Sequence, residues 1–282
     1  MNSSVQQTQK LKSVELEILK YFIDICEKEN IQYFLIGGTA LGAVRHKGFI
    51  PWDDDIDVGM PRADYEKFIS VAQKYLPEYY FLQNFYTDQN YPNNFSKIRD
   101  SRTAFIETSC RNIDMNHGVY IDIFPLDGYP ATKLPSKIFD FKKKLINSRI
   151  SMVFETYQAK SLKSKIALFL LKIVYPNYRT AVRSRETLYK KYNYSDSRYV
   201  VNHGGAWGRK EIVLKSYFGN GALGEFENLK VIIPENYDQY LKNVYGDYMT
   251  LPPKENRKGH HYCTVIDLEK SYIEYLSGDI KQ

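Results

Sequence analysis

The sequence predicts an α/β (α+β) fold, a mixed sheet flanked by helices, on three observations. An apolar run ends at paired glycines and opens into a helical stretch, "IQYFLIGGTALGAVRHKG". Two later segments, "DIDVGM" and "GVYIDIFPLDG", alternate polar and apolar residues with the period of two that puts alternate side chains on one sheet face. Elsewhere apolar residues recur at steps of three and four, the period of one helix face. With 282 residues, 43% of them hydrophobic, the chain can bury the core of one large domain or two modest ones.

In chain order, Leu11, Val14, Ile18, Phe22 and Ile25 mark an amphipathic helix from about residue 8 to 30. "IQYFLIGG" reads as a short buried strand, and "TALGAVRHKG" as a helix starting where the glycines let the backbone turn. A helix N-terminus after such a turn is a place where backbone N–H groups meet phosphate. "DIDVGM" reads as a strand with Asp55 and Asp57 on one face, and "RADYEKFISVAQKYL" as a helix burying Phe68, Ile69, Ala72 and Tyr75. "YYFLQNFY", "FSKIRD", "TAFIET" and "GVYIDIFPLDG" read as extended. In the last of these Asp122 stands alone among apolar residues and needs a partner, because an uncompensated buried charge is costly.

Residues from about 134 to 192 read as helical and basic. The middle piece, Leu162 to Val174, carries Lys163, Lys165 and Lys172 among apolar residues and reads first as a core helix, second as an interfacial membrane helix. The C-terminal part mixes glycine turns, "NHGGAWG" and "FGNGALG", with a helix after Pro234 and a loop "LPPKENRKGHHY". The expected organisation is a catalytic core over 1–130, a helical basic insertion over 131–195 and a C-terminal part over 196–282 packing on the core.

Composition bounds the function. Thirty-nine Lys and Arg against 33 Asp and Glu give a net charge of +6, which favours anionic partners. Cys26, Cys110 and Cys263 are far apart and have no metal-ligand spacing, so neither a disulfide framework nor a zinc site is expected and a reducing cytoplasm fits. The N-terminus lacks the apolar core of a secretory signal, and no apolar run reaches the length of a spanning helix. The expected location is cytoplasmic, with peripheral contact at the inner face of an anionic membrane through the basic helices of 134–192. Nucleic-acid binding is not expected, since those basic residues lack the motif of a known module.

The acidic stretch carries the chemistry. "WDDDIDVGM" sets Asp53, Asp54, Asp55 and Asp57 within five positions, a crowding that a divalent cation relieves. Oxygen-only ligands suit Mg²⁺ or Mn²⁺. A calcium loop fails because its sixth position is Val58 rather than Gly, and its twelfth is Asp64 rather than Glu. Paired glycines after a strand, a D-x-D on a second strand and a lone Asp on a third form the pattern of the nucleotidyltransferase superfamily. In such a site the turn holds phosphate, the D-x-D holds metal, and the third carboxylate lies near the attacking hydroxyl.

The longer blocks "GGTALGAVRHKGFIPWDDDIDVGM", "KIRDSRT", "GVYIDIFPLDG" and "YGDYMTLPP" resemble the LicD family of phosphocholine transferases, whose wider relatives include fukutin-related ribitol-phosphate transferases. The resemblance covers about 35–126 and 234–261. It implies a polymerase-β-like nucleotidyltransferase core and transfer of phosphocholine from a CDP-choline donor to a sugar hydroxyl of a teichoic acid or similar cell-surface glycan precursor, with release of CMP. Carried over by position, Asp55, Asp57 and Asp122 hold Mg²⁺ (or Mn²⁺), Asp122 also serving as general base, and Gly37, Gly38 and Thr39 contact the donor phosphates. Nothing in the first block suggests a dead enzyme.

Other residues are weighed against surface or packing roles. Arg45 and His46 follow the phosphate turn and are placed to neutralise a pyrophosphate. Lys97 and Arg99 alternate on a strand and can face one anion. Trp52 serves either packing or recognition, and the 25 Tyr and 15 Phe offer too many choices to name an aromatic cage for choline. Asp53 and Asp54 orient ligands or attract the choline cation. Arg257, His260 and His261 sit in a polar loop able to close over the donor. Two alternatives stand beside phosphocholine transfer: a nucleotidyltransferase leaving an NMP on its acceptor, and a catalytically silent glycan-binding subunit.

Overall fold

The computed structural model describes residues 3–153, 161–257, 259 and 262–276. A long helix, α1 (Ser3–Glu29), leads into β1 (Phe34–Leu35), α2 (Gly37–Arg45), β2 (Asp57–Pro61) and α3 (Arg62–Val71). There follow β3 (Tyr80–Gln83), β4 (Ser96–Asp100), β5 (Ala104–Glu107) and β6 (Val119–Tyr129). Three helices, α4 (Lys133–Ile150), α5 (Leu162–Val174) and α6 (Tyr178–Tyr189), come next. The chain continues with β7 (Tyr199–Asn202), β8 (Ile212–Leu214), β9 (Ala222–Phe226), β10 (Leu229–Ile233), α7 (Tyr237–Tyr245), β11 (Cys263–Asp267) and α8 (Ile273–Leu276).

A seven-stranded mixed sheet organises the molecule, in the order β1-β2-β6-β4-β3, with β7 also on β6 and β8 beyond it. β2 and β6 run parallel and every other pairing in the sheet is antiparallel. The 11-residue β6 is buried along its whole length and is the spine. β2 lies on one edge of it; the other edge pairs with β4 as far as Ile123 and with β7 from Leu126 onward. Phe95, Phe124 and Asn202, around the point where that edge changes partner, line a cavity.

The core lies between this sheet and α1, α2, α3 and α7, with Ile18, Phe22, Phe34, Val58, Phe68, Ile98 and Ile121 fully buried. At about 1.5–3 kcal/mol for each large apolar side chain buried, this cluster supplies the main stabilising term. One buried ion pair ties sheet to helices: Arg62 of α3 grips Asp127 of β6 at 2.6 and 2.7 Å and reaches Glu186 of α6 at 2.8 Å. Burial disfavours the charge on Arg62, but hydrogen bonds and the field of Asp127 outweigh it and hold the guanidinium above its ordinary range.

Several expectations change. The first strand shrinks to two residues, and the helix begins at the glycines themselves, Gly37 taking φ +57°. The acidic strand starts at Asp57, so Asp55 precedes it, although the Ile56 carbonyl still accepts a 2.8 Å bond from the Asp122 N–H. Tyr75, expected to be buried, is exposed. The piece from Leu162 to Val174 is a helix but not a core helix: Ile166, Phe169, Leu170, Ile173 and Val174 face outward. Among the described residues no helix is long and apolar enough to cross a membrane.

Candidate active site

The site is assembled by register. Asp57 and Asp122 are paired neighbours on the parallel strands β2 and β6, and Lys97 of β4 is the partner of Asp122 on its other side. Lys97 Nζ lies 2.8 Å from Asp122 Oδ1, which supplies the partner that a buried carboxylate requires. Lys97 also sits over the Tyr120 ring, 3.1 Å from its centroid.

The glycine turn faces these carboxylates. A side chain at Gly37 would place its Cβ 3.0 Å from Asp57 Oδ2, and one at Gly38 would come within 2.6 Å of Asp53 Oδ2. The N-cap of α2 is the apolar Ile36, which offers no side-chain cap. Tyr240 of α7 accepts from the Gly37 N–H at 3.0 Å, and Thr39 Oγ1 accepts from the Asp57 N–H at 2.8 Å. Gly37→Ala is therefore expected to destabilise the fold by about 1–2 kcal/mol of left-handed strain, read as a lower melting temperature in thermal unfolding.

Asp53, Asp55, Asp57 and Asp122 all line one cavity of about 600 Å³, together with Gly37, Gly38, Arg45 and Trp52. Burial pushes Asp57 well above the usual carboxylate range, reinforced by Asp55, Asp122 and Asp53 and opposed by Lys97. The tightest cluster is not the predicted trio. Among the described residues, the carboxylates whose oxygens lie within 4.8 Å of one another are those of Asp53, Asp54 and Asp55. Asp122 is turned toward Lys97, and Asp57 toward Gly37.

The other predicted residues divide. Arg45 lines the cavity and donates to the Tyr248 carbonyl. Trp52 lines it too, with His46 edge-on at 6.4 Å and Arg257 at 5.4 Å from its ring. Thr39, His46, Lys97 and Arg99 are not lining residues. Thr39 is buried beneath the turn and fixes Asp57. Arg99 is fully buried, donating to Gln83 and to the Gly118 carbonyl at 2.6 Å, so it serves the scaffold rather than an anion. The loop after Pro252 does come against the acidic stretch, since a Cβ at Gly259 would lie 3.0 Å from Asp54 Oδ2. His260 and His261 lie outside the described residues.

The sequence reading missed one wall and one carboxyl. The cavity is also lined by Asn202, Gly204, Gly205, Trp207, Glu211, Tyr245 and Tyr248. Trp207 meets Tyr245 edge-to-face at 5.0 Å, and the Trp207 N–H donates to Glu211 Oε1 at 3.2 Å. Burial raises the Glu211 carboxyl to about 7. Glu15 of α1 is the missed carboxyl; burial, then Asp55 and Asp54, raise it well above its usual range. Its signal was in the sequence, for Glu15 falls four residues after Leu11 and three before Ile18, on the apolar stripe.

Comparison with known proteins now adds to this geometry. Residues 30–161 match the family described as LicD/FKTN/FKRP, nucleotidyltransferase domain. The chain is 35% identical over 269 residues to the lipopolysaccharide cholinephosphotransferase LicD of Haemophilus influenzae, covering 92% of this chain and 95% of that protein. The chain belongs to the LicD family. Within it, a 44-residue stretch is also 43% identical to ribitol 5-phosphate transferase FKRP of mouse and of human, covering 16% of this chain and 9% of each of those proteins. For this LicD-family chain, the match from residue 30 to 161 takes in the glycine turn, the aspartates and Lys97.

Proposed function

We propose that this chain transfers phosphocholine from CDP-choline to a sugar hydroxyl of a lipopolysaccharide, teichoic acid or similar glycan precursor, releasing CMP. The observation that carries the reading is a single cavity lined by two chemically different sets of residues. One set is four aspartates and the glycine turn. The other is Trp207, Tyr245 and Glu211. Tyr245 joins them, its ring against Trp207 and its hydroxyl 3.9 Å from the Cβ position of Gly37. A quaternary ammonium is bound by aromatic faces and a nearby carboxylate, and in phosphocholine it stands two carbons from the phosphate ester, so one cavity can receive both groups.

The aspartates fit Mg²⁺ or Mn²⁺: all are hard oxygen donors, they crowd one another, and a cation favours the Asp57 charge that its neighbours and burial disfavour. Asp53 and Asp55 with Asp57 would hold it, Asp122 completing the set. When bound, the ion supplies charge neutralisation for the phosphoryl oxygens. The chain's own residues do the rest. The start of α2 receives the donor phosphates, and Arg45 stands at the cavity wall to offset their charge. The acceptor oxygen bonds to the choline-side phosphorus as the bond from that phosphorus to the CMP oxygen breaks. Asp122 takes the proton of the acceptor hydroxyl. Alignment of attacking and leaving oxygens is most of what such a transfer demands.

Incubation with CDP-choline, CDP-ribitol and CDP-glycerol plus Mg²⁺, scored by CMP release, tests the reading, and turnover with CDP-choline is expected to lead. Trp207→Ala and Glu211→Gln are expected to raise KM for CDP-choline about 5–30-fold, the range of a cation–π contact of about 1–2 kcal/mol, with little effect on any residual use of CDP-ribitol. Equal losses with both donors would assign these residues to the fold instead.

A further inference from the structure

Among the described residues, α4 and α5 each leave an apolar stripe exposed. On α5, Ile166, Phe169, Leu170 and Ile173 follow one another at steps of three, one and three, and with Val174 they are 53–64% exposed. On α4, Leu134, Ile138, Phe141 and Leu145 repeat at steps of four, three and four, and are 36–69% exposed. These are stripes with helical spacing, not scattered side chains. The opposite faces are used inside the protein, by Phe139, Ile146 and Ile150 of α4 and by Leu168 and Leu171 of α5. Exposed apolar side chains repeated along one side of a helix, unlike single scattered ones, mark a surface with an occupant.

Charge decides which occupant. Lys137, Lys142, Lys144, Lys165 and Lys172 stand on the same two helices. α5 has no acidic residue, and the one in α4, Asp140, is taken up by Arg209 at 2.7 Å and the Tyr129 hydroxyl at 2.8 Å. A second copy of the chain would bring the same lysines against these, whereas anionic headgroups complement them while the apolar side chains enter the acyl boundary. We infer that the α4–α5 hairpin docks this protein peripherally on an anionic phospholipid bilayer. The hairpin is also tied to the cavity wall: Lys143 of α4 lies 3.2 Å from His203 Nδ1, and Asp140 holds Arg209, two residues from Trp207. Docking there would hold the cavity beside the bilayer, where a lipid-anchored sugar acceptor is presented. The inference does not depend on the identity of the donor.

The test is co-sedimentation of the full chain with vesicles of phosphatidylcholine alone and of phosphatidylcholine with phosphatidylglycerol. Binding is expected to the anionic vesicles, at least tenfold weaker to neutral ones, and to fall as salt is raised. Phe169→Asp with Ile173→Asp is expected to reduce binding at least tenfold while melting temperature and CMP release in solution stay as in the parent. Lys165→Glu with Lys172→Glu is expected to abolish the preference for anionic vesicles. Three outcomes overturn the inference: the parent chain stays in the supernatant with anionic vesicles at low salt, the Asp pair binds as the parent does, or the vesicle-free parent is a dimer that the Asp pair converts to monomer.

Discussion

Asp57→Asn is expected to lower turnover by about a thousandfold or more and at the same time to raise the melting temperature of the metal-free protein. The two effects have one cause. Asp57 is half-buried beside Asp55, Asp122 and Asp53, and its carboxyl is pushed well above its ordinary value. A carboxyl whose folded-state pKa lies above its unfolded value, about 3.9, contributes stability that is full below that value and is lost as pH rises through the folded one. As pH rises above the unfolded value the metal-free chain therefore loses that contribution progressively, a loss the asparagine does not suffer. The gain in melting temperature of Asp57→Asn over the parent should thus be small near pH 4 and grow toward pH 8. Mg²⁺ should raise the parent's melting temperature and close that gap. On the proposed mechanism, the loss of turnover follows from removing a ligand to an ion that would stabilise transition-state charge by several kcal/mol. Calorimetry across pH with Mg²⁺ or EDTA, beside a CMP-release assay, measures both. A parent whose stability is flat in pH and unaffected by Mg²⁺ would separate Asp57 from metal binding.

The largest effect on folding is expected from Asp127→Ala. Its carboxylate is fully buried and holds Arg62 through two short bonds. Removing it leaves a buried guanidinium with Glu186 alone, which costs about 3–5 kcal/mol. Replacing both partners, Arg62→Met with Asp127→Leu, should cost less than the single change, because no orphaned cation remains and Glu186 keeps Lys190 at 3.2 Å. Urea unfolding of the three proteins gives the comparison. A double variant less stable than Asp127→Ala would mean that the pair fixes the packing of α3 and α6 on the sheet beyond its charge balance.

Much of the catalytic half was legible because its pattern is local. Alternation in "GVYIDIFPLDG" marked β6 and left Asp122 as a carboxylate in need of a partner, and Lys97 meets that need from the neighbouring strand. Paired glycines before a helix marked the turn, and the crowded aspartates marked an acidic cavity wall. What could not be read is set by contacts distant in sequence. Lys97 and Arg99 share a strand face, but only the fold shows that one reaches Asp122 while the other is spent on Gln83 and Gly118. The wall of Trp207, Glu211 and Tyr245 comes from an irregular glycine-rich stretch and the end of α7, neither with a period that announces its facing. The strands β7 to β11 were not read either; β11, for one, is held by pairing with β5, distant in sequence. The apolar content of α5 suggested a core helix, because composition records what a helix carries and not which neighbours come to cover it.

Phosphorus NMR of the full chain with CDP-choline, Mg²⁺ and a choline-free lipopolysaccharide follows both phosphorus atoms of the donor at once. The expected spectrum loses the donor diphosphate signals and gains CMP and a phosphodiester on the glycan, with no change in EDTA or for Asp57→Asn. Free phosphocholine appearing with CMP bound to the acceptor would show attack on the other phosphorus, and an unchanged donor would show no transfer at all; either result contradicts phosphocholine transfer by this cavity.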